Sequence, residues 1–143
     1  GISISEITKR IEEYSKRCCI YLYVDTLEYL HKGGRIGTAK ALAGSVLQIK
    51  PILLFKDGQI NQFESQRTKK RALERIIDLV KQECPNSADS YLTILEADAM
   101  KDAQDLKNAF SSMQNIKEIS ICNLPPAIIV HAGPGVLAAS FFK

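Results

Sequence analysis

Tryptophan is absent from this chain, and histidine occurs only at His31 and His131. Neither histidine has further ligand-type residues at metal-site spacing, so no zinc centre is expected. Cysteine is sparse as well: Cys18, Cys19, Cys84 and Cys122 form no C-x-x-C pair. That pattern argues against a disulfide framework and suits reduced, packed thiols in a cytoplasmic protein. No apolar run is long enough to span a bilayer, and no basic leader precedes an apolar signal core. Charge of one sign is missing too, with 19 basic and 16 acidic residues giving a net +3. Such a balance does not point to nucleic acid. The basic run Lys69-Lys70-Arg71 lacks the interleaved aromatics of RNA-reading modules and reads as the exposed start of a helix. No Walker loop, dinucleotide fingerprint or Ser-His-Asp order occurs, and no cofactor is expected.

What remains is an ordinary globular composition, 45% apolar and 24% charged over 143 residues, enough for one domain with a real core. Ser3-Ile4-Ser5-Glu6 resembles a capping box, and Ile7, Ile11, Tyr14 and Cys18 recur at helical spacing, predicting a helix over 5–16. Cys19 to Val24 reads as a strand. Asp25 is expected to cap a short helix through Leu30, ended by Gly33-Gly34, with a second short helix from Ala39 to Gln48. Ile52 to Phe55, the turn Asp57-Gly58 and a return strand over 59–66 make a β-hairpin. Helices are predicted over 68–83 and 98–113, and strands at Tyr91–Leu95, over the alternating Ile119, Ile121 and Leu124, and at Ile128–Val130. Residues Val136 to Phe142 read either as a short helix or as a return strand. Strands alternating with helices after the hairpin predict a single α/β domain over residues 1–143, layered, with a mixed β-sheet and flanking helices.

Three segments carry candidate chemistry. His131 is expected at the end of the Ile128–Val130 strand, before the side-chain-poor turn Gly133-Pro134-Gly135. There an imidazole and free backbone N–H groups would meet an anionic head group. The bland alternative is a histidine bonded within a turn. Gly33-Gly34-Arg35-Ile36 offers an anion nest with an arginine fork, or merely a helix stop with a surface arginine. Arg67 marks a strand–helix junction of the kind that often carries function, or simply a soluble helix start. Asp98, Asp102 and Asp105, with Lys101 and Lys107 nearby, read as a solvated face.

Read in order, the segments resemble the second half of a DegV family protein. These are the bacterial fatty-acid-binding subunits of fatty acid kinase. The matching text runs Asp25-Thr26-Leu27-Glu28-Tyr29-Leu30-His31-Lys32-Gly33-Gly34-Arg35-Ile36, then Leu47-Gln48-Ile49-Lys50-Pro51-Ile52-Leu53. Asp57-Gly58 follows, then Arg67 with Lys69-Lys70-Arg71-Ala72, and finally His131-Ala132-Gly133-Pro134-Gly135. The resemblance implies a palmitate-like fatty acid whose carboxylate is bound by His131 with the Gly133 region beside it. It implies a partner-docking or phosphate-handling role for Arg67, leaves Arg35 as a further candidate, and implies no catalytic residue in this chain. The implied partners are the kinase catalytic subunit and the family's N-terminal domain, whose threonine and serine motifs are absent here. Peripheral membrane contact stays open. The chain is thus expected to be the C-terminal domain alone, starting at Gly1 because it was processed, engineered or cut from something longer.

The leading function is therefore a non-catalytic carrier domain that presents a fatty acid carboxylate to a kinase. The rivals are an enzyme on a phosphate or acyl substrate with His131 as acid or base, and a protein-interaction module using an apolar face.

Overall fold

The computed structural model describes residues 1–42 and 49–143. In chain order the elements are α1 (Ile4–Arg17), β1 (Cys18–Tyr23), α2 (Glu28–Lys32), a 3-10 segment (Gly37–Leu42), β2 (Lys50–Lys56) and β3 (Gln59–Gln66). Then follow α3 (Lys69–Glu83), β4 (Tyr91–Glu96), α4 (Met100–Ala109), β5 (Glu118–Asn123), α5 (Pro126–Ala132) and β6 (Leu137–Phe142). Local chemistry explains several boundaries. Ser3 Oγ accepts from the Glu6 N–H at 3.3 Å, and Thr68 Oγ1 accepts from the Arg71 N–H at 3.2 Å, so both long helices begin on hydroxyl caps. The β2–β3 hairpin turns on Asp57 and Gly58, at φ 52° and 74°, the left-handed pair that a two-residue hairpin loop needs.

The strands form one six-stranded sheet in the order β3-β2-β1-β6-β4-β5. The β4–β5 pair is parallel, as the intervening helix α4 requires, and every other pair is antiparallel. The sheet is therefore mixed, with helices packed on it, as the α/β reading expects. Side chains alternate across it. Cys19, Tyr21 and Tyr23 of β1, Leu92 and Ile94 of β4, and Leu137, Ala139 and Phe141 of β6 point to one face. There they pack with Ile76 and Val80 of α3 and Leu106 of α4. Leu22 of β1 and Ala138 of β6 point to the other face, where they meet Leu30, Ile36, Ala132 and Val136. Arg75 of α3 donates to both carboxylate oxygens of Glu64 on β3, at 2.9 and 2.8 Å, pinning the edge strand to the helical layer. That bond holds the Glu64 carboxyl below the usual carboxylate range.

Several sequence expectations change, and one open alternative is resolved. Ile128–Val130 is not a strand but the body of α5. Pro125 and Pro126 start that helix, and Ile128 N–H donates to Pro125 O at 2.8 Å. The physical reason lies in the topology. β5 and β6 are both neighbours of β4, one parallel and one antiparallel to it. β5 thus ends where β6 begins, and the connection needs a short crossover rather than another strand. Val136–Phe142 resolves as the strand β6 (Leu137–Phe142). Asp25 caps no helix: Thr26 Oγ1 takes the Glu28 N–H instead, and α2 starts at Glu28. The fourth helix is shorter than the predicted 98–113, and Leu124 lies just past the end of β5. Of the helix expected from Ala39 to Gln48, Gly37–Leu42 is a 3-10 turn, and positions 43–48 lie outside the described residues.

All four cysteines are free, with Cys19 and Cys84 buried and Cys122 exposed. Burial pushes the Cys84 thiol up to about 11, so it sits in the core as a small apolar group rather than a nucleophile. Helix α1 is the exception to good packing: it has no buried residue, and Ile4, Ile7, Ile11 and Tyr14 all face outward. The contrast is measurable. Ile94→Ala, in the sealed layer, should lower the unfolding free energy of this chain by about 2–5 kcal/mol. Ile11→Ala on α1 should change it by no more than about 0.5 kcal/mol. Urea titrations of the two variants check both values.

Candidate functional site

The helical layer of α3 and α4 seals one face of the sheet; the described residues cover the other only in part. Between α2, the 3-10 segment, α5 and the hairpin, the described residues leave a cavity of about 670 Å³. Its floor is aliphatic: Ile20 and Leu22 of β1, Leu95 of β4 and Ala138 of β6. Phe55 and Ile60, from the two arms of the hairpin, close one side, and Leu30, Ile128 and Val136 stand on the others. The size is that of a small-molecule pocket, and the lining suits an apolar guest.

Polar groups around it are few. His131 lines the cavity from the last turn of α5, and Arg35 lines it from the segment after α2. Among the described residues, no carboxylate forms an ion pair with Arg35. His131 is half-buried; its Nδ1 is sealed from solvent and has no hydrogen-bond partner. An imidazole with one blind nitrogen at an apolar cavity has its remaining polar capacity at the other, Nε2. An anion with a long apolar tail matches such a site better than a phosphate or sugar, which would leave most of the lining unpaired.

Two expectations about backbone donors fail. The Gly33-Gly34-Arg35 N–H groups form no open nest. They donate to Tyr29 O, His31 O and Leu30 O at 2.9, 3.1 and 2.8 Å, finishing α2. The Gly133-Pro134-Gly135 turn likewise has no spare donor. Gly133 N–H goes to Ile129 O, and Gly135 N–H to Ala97 O, both at 2.8 Å. The turn contributes room instead. Gly133 has φ 83°, and a Cβ there would lie 2.5 Å from Cδ2 of Tyr29. Arg67 is exposed in the bend between β3 and α3 and does not line the cavity.

Comparisons with known proteins bear on the family and the fold. A model of the DegV family, described as an uncharacterised protein family, matches residues 1–143. The chain belongs to the DegV family. A DegV domain-containing protein of Halalkalibacterium halodurans is 32% identical over 142 residues, covering 99% of this chain and 50% of that relative. The chain thus spans about half the length of the curated DegV relatives it matches. Among solved structures, a fatty acid binding DegV family protein from Streptococcus agalactiae is similar at TM-score 0.88 and 28% identity. That match covers all of this chain and 50% of that one. DegV from Bacillus subtilis, described as a fatty acid binding protein, is similar at TM-score 0.82 and 31% identity, with 99% and 50% covered. The DegV sheet and its flanking helices are thus reproduced over this whole chain.

Sequence reasoning missed a cluster that the DegV fold assembles at the end of the sheet near the Gly133–Gly135 turn. Tyr23 donates to Asp25 Oδ1 at 2.6 Å, and a Cβ on Gly135 would lie 2.2 Å from Asp25 Oδ2. Lys69 stands 5.6 Å from the centre of the Tyr23 ring and pairs with Asp102 at 2.7 Å. Asp102 therefore bridges α4 to α3, whereas Asp98 and Asp105 are exposed as expected. Burial, and then the bond to Asp25, push the Tyr23 hydroxyl well above the ordinary phenol range, so it stays a neutral donor. Nothing in the spacing of these residues announced the cluster, because four separate segments supply it. The floor of the cavity was more legible, since Ile20 and Leu22 alternate with Tyr21 and Tyr23 along β1. Tyr23→Phe should leave the fold intact but cost about 1–1.5 kcal/mol, the modest value set by Asp25's access to water; thermal unfolding of the variant measures it.

Among the described residues, no helix is long and apolar enough to cross a membrane, and no group of histidine, cysteine or acidic residues is placed to hold a metal ion.

Proposed function

We propose that this chain is the C-terminal domain of a two-domain, cytoplasmic fatty-acid-binding protein. In this reading it carries a long-chain fatty acid and presents the carboxylate to the catalytic subunit of a fatty acid kinase. The observation that carries the proposal is the apolar cavity with His131 on its wall. A buried acyl chain gains about 0.8 kcal/mol per methylene, so roughly twelve methylenes supply on the order of 10 kcal/mol before association costs. The carboxylate fixes orientation: a hydrogen bond from His131 offsets its desolvation, and Gly133 shapes the turn behind the ring. Arg35 adds a positive charge on the same wall. Arg67, outside the cavity, is assigned to the kinase subunit or its phosphate, because an exposed guanidinium can fork onto phosphate oxygens. The four free cysteines fit a reducing compartment.

The exposed stripe of α1 and a sheet face that the described residues only partly cover support the two-domain reading. A second α/β half, of the size by which the relatives exceed this chain, would bury Ile4, Ile7, Ile11 and Tyr14. It would also roof the cavity, so full lipid affinity needs both halves. The enzyme reading has no such support, since among the described residues no second acid or base faces His131 across the cavity.

Native mass spectrometry of the full-length gene product, purified from bacterial cells, should show one long-chain fatty acid per protein. No bound lipid, together with no uptake of added palmitate, overturns the proposal. Separate roles for the two basic residues are expected. His131→Ala should weaken palmitate binding about tenfold or more, the worth of a hydrogen bond to a charged acceptor. Arg67→Ala should leave that affinity unchanged and lower acyl phosphate formation with the kinase subunit. Equal affinity losses in both variants contradict this division of labour.

A further inference from the structure

We propose that Gly33 is a positioning residue for His131: its bare Cα is the seat that holds the imidazole in the orientation a carboxylate requires. The proposal rests on the reading of His131 as the head-group residue and adds to it the part that sets the ring.

Gly33 follows α2 with φ −79° and ψ −3°, ordinary right-handed helical values that alanine adopts without strain. The backbone therefore gives no reason for glycine here. The reason is on the other side of the contact. A Cβ on Gly33 would lie 2.2 Å from His131 Nδ1 and 3.2 Å from its Cε1. The ring edge thus occupies the space that any other side chain would fill. A second contact repeats the arrangement in reverse, with the Tyr29 ring of α2 against Gly133, just beyond α5. Tyr29 and Gly33 are one helical turn apart, and His131 and Gly133 are two residues apart. Each segment thus offers one ring and one glycine to the other.

The seat also selects a tautomer. Nδ1 is sealed against Gly33 without an acceptor. A proton there would be a buried donor with nothing to receive it, the rarer and costlier kind of orphan. The neutral ring therefore carries its proton on Nε2, the nitrogen left for the cavity. A carboxylate only accepts hydrogen bonds, so this tautomer binds it and the other does not. Crowding Nδ1 with a methyl group swings the ring out and abolishes that selection.

The test uses the full-length gene product with palmitate as the probe. Gly33→Ala should bind palmitate about tenfold or more weakly, as His131→Ala does. The double variant should bind no worse than His131→Ala alone, because removing the ring removes the clash. Nitrogen-15 NMR of labelled histidine should show His131 of the parent protein with its proton on Nε2. In Gly33→Ala that signal should move to the tautomer average of a solvent-exposed imidazole such as His31. Should Gly33→Ala fail to fold, the double variant should fold, and its failure to do so overturns the proposal. Wild-type affinity or an unchanged His131 signal in Gly33→Ala, or losses that multiply in the double variant, also overturn it. The head-group reading itself stands or falls separately: it falls if His131→Ala keeps wild-type affinity.

Discussion

A central strand that is apolar on both sides has to be covered on both sides, and the described residues supply long buried helices for only one. β1 lies between β2 and β6, with Tyr21 and Tyr23 facing one way and Ile20 and Leu22 the other. Its aromatic side is sealed by α3 and α4, which bury Ile76, Leu79 and Leu106 against it. Among the described residues, its aliphatic side receives two helices of five and seven residues and a 3-10 turn. Such short pieces cannot roof six strands, and the remainder is the cavity. The site is thus a consequence of unequal cover, and its apolar character follows from the need of β1 to be hydrophobic throughout.

The same constraint explains why the polar groups at the cavity come from connections rather than strands. Floor residues such as Leu22 and Ala138 are committed to packing. His131 and Arg35 come from segments that leave the sheet and return, where a side chain can lean over the apolar floor without breaking a ladder. The glycines around them do not serve as backbone donors, since their N–H groups close helix ends and tie the turn to Ala97 O. They serve as spaces that rings and a carboxylate occupy, which lets α2 and α5 approach each other closely.

Much of this was legible where the cause is local. Asp57-Gly58 specifies its hairpin through its own backbone preferences, and the strand over 59–66 follows from it. Thr68 marks the start of α3, and Pro85 follows its end. The segment Ile128–Val130 was illegible for an equally physical reason. Three β-branched residues fit a buried strand or a short helix alike, and the flanking Pro125-Pro126 points to the helix only once a helix is considered. Its burial does not rescue the strand reading, since Ile128 and Val130 are 48% and 64% exposed. His131 lines a ligand-sized cavity, but from the end of a helix and not from the end of a strand as the sequence suggests. The double glycine of Gly33-Gly34 read as a stop signal because its neighbour, the His131 ring, lies nearly a hundred positions away.

The sequence by itself determined most of the strands and helices, the stretches Ile128–Val130 and Val136–Phe142 excepted, which face of each is apolar, and that the chain carries the ordered motifs of the DegV family. Those properties depend on side-chain period and on turn residues, both read within a few positions. Only the tertiary structure decided that the described residues leave an apolar cavity on one sheet face, that His131 turns its Nδ1 into Gly33, and that Tyr23, Asp25, Lys69 and Asp102 meet. These are matters of distance between segments far apart in the chain, and no local preference encodes such a distance.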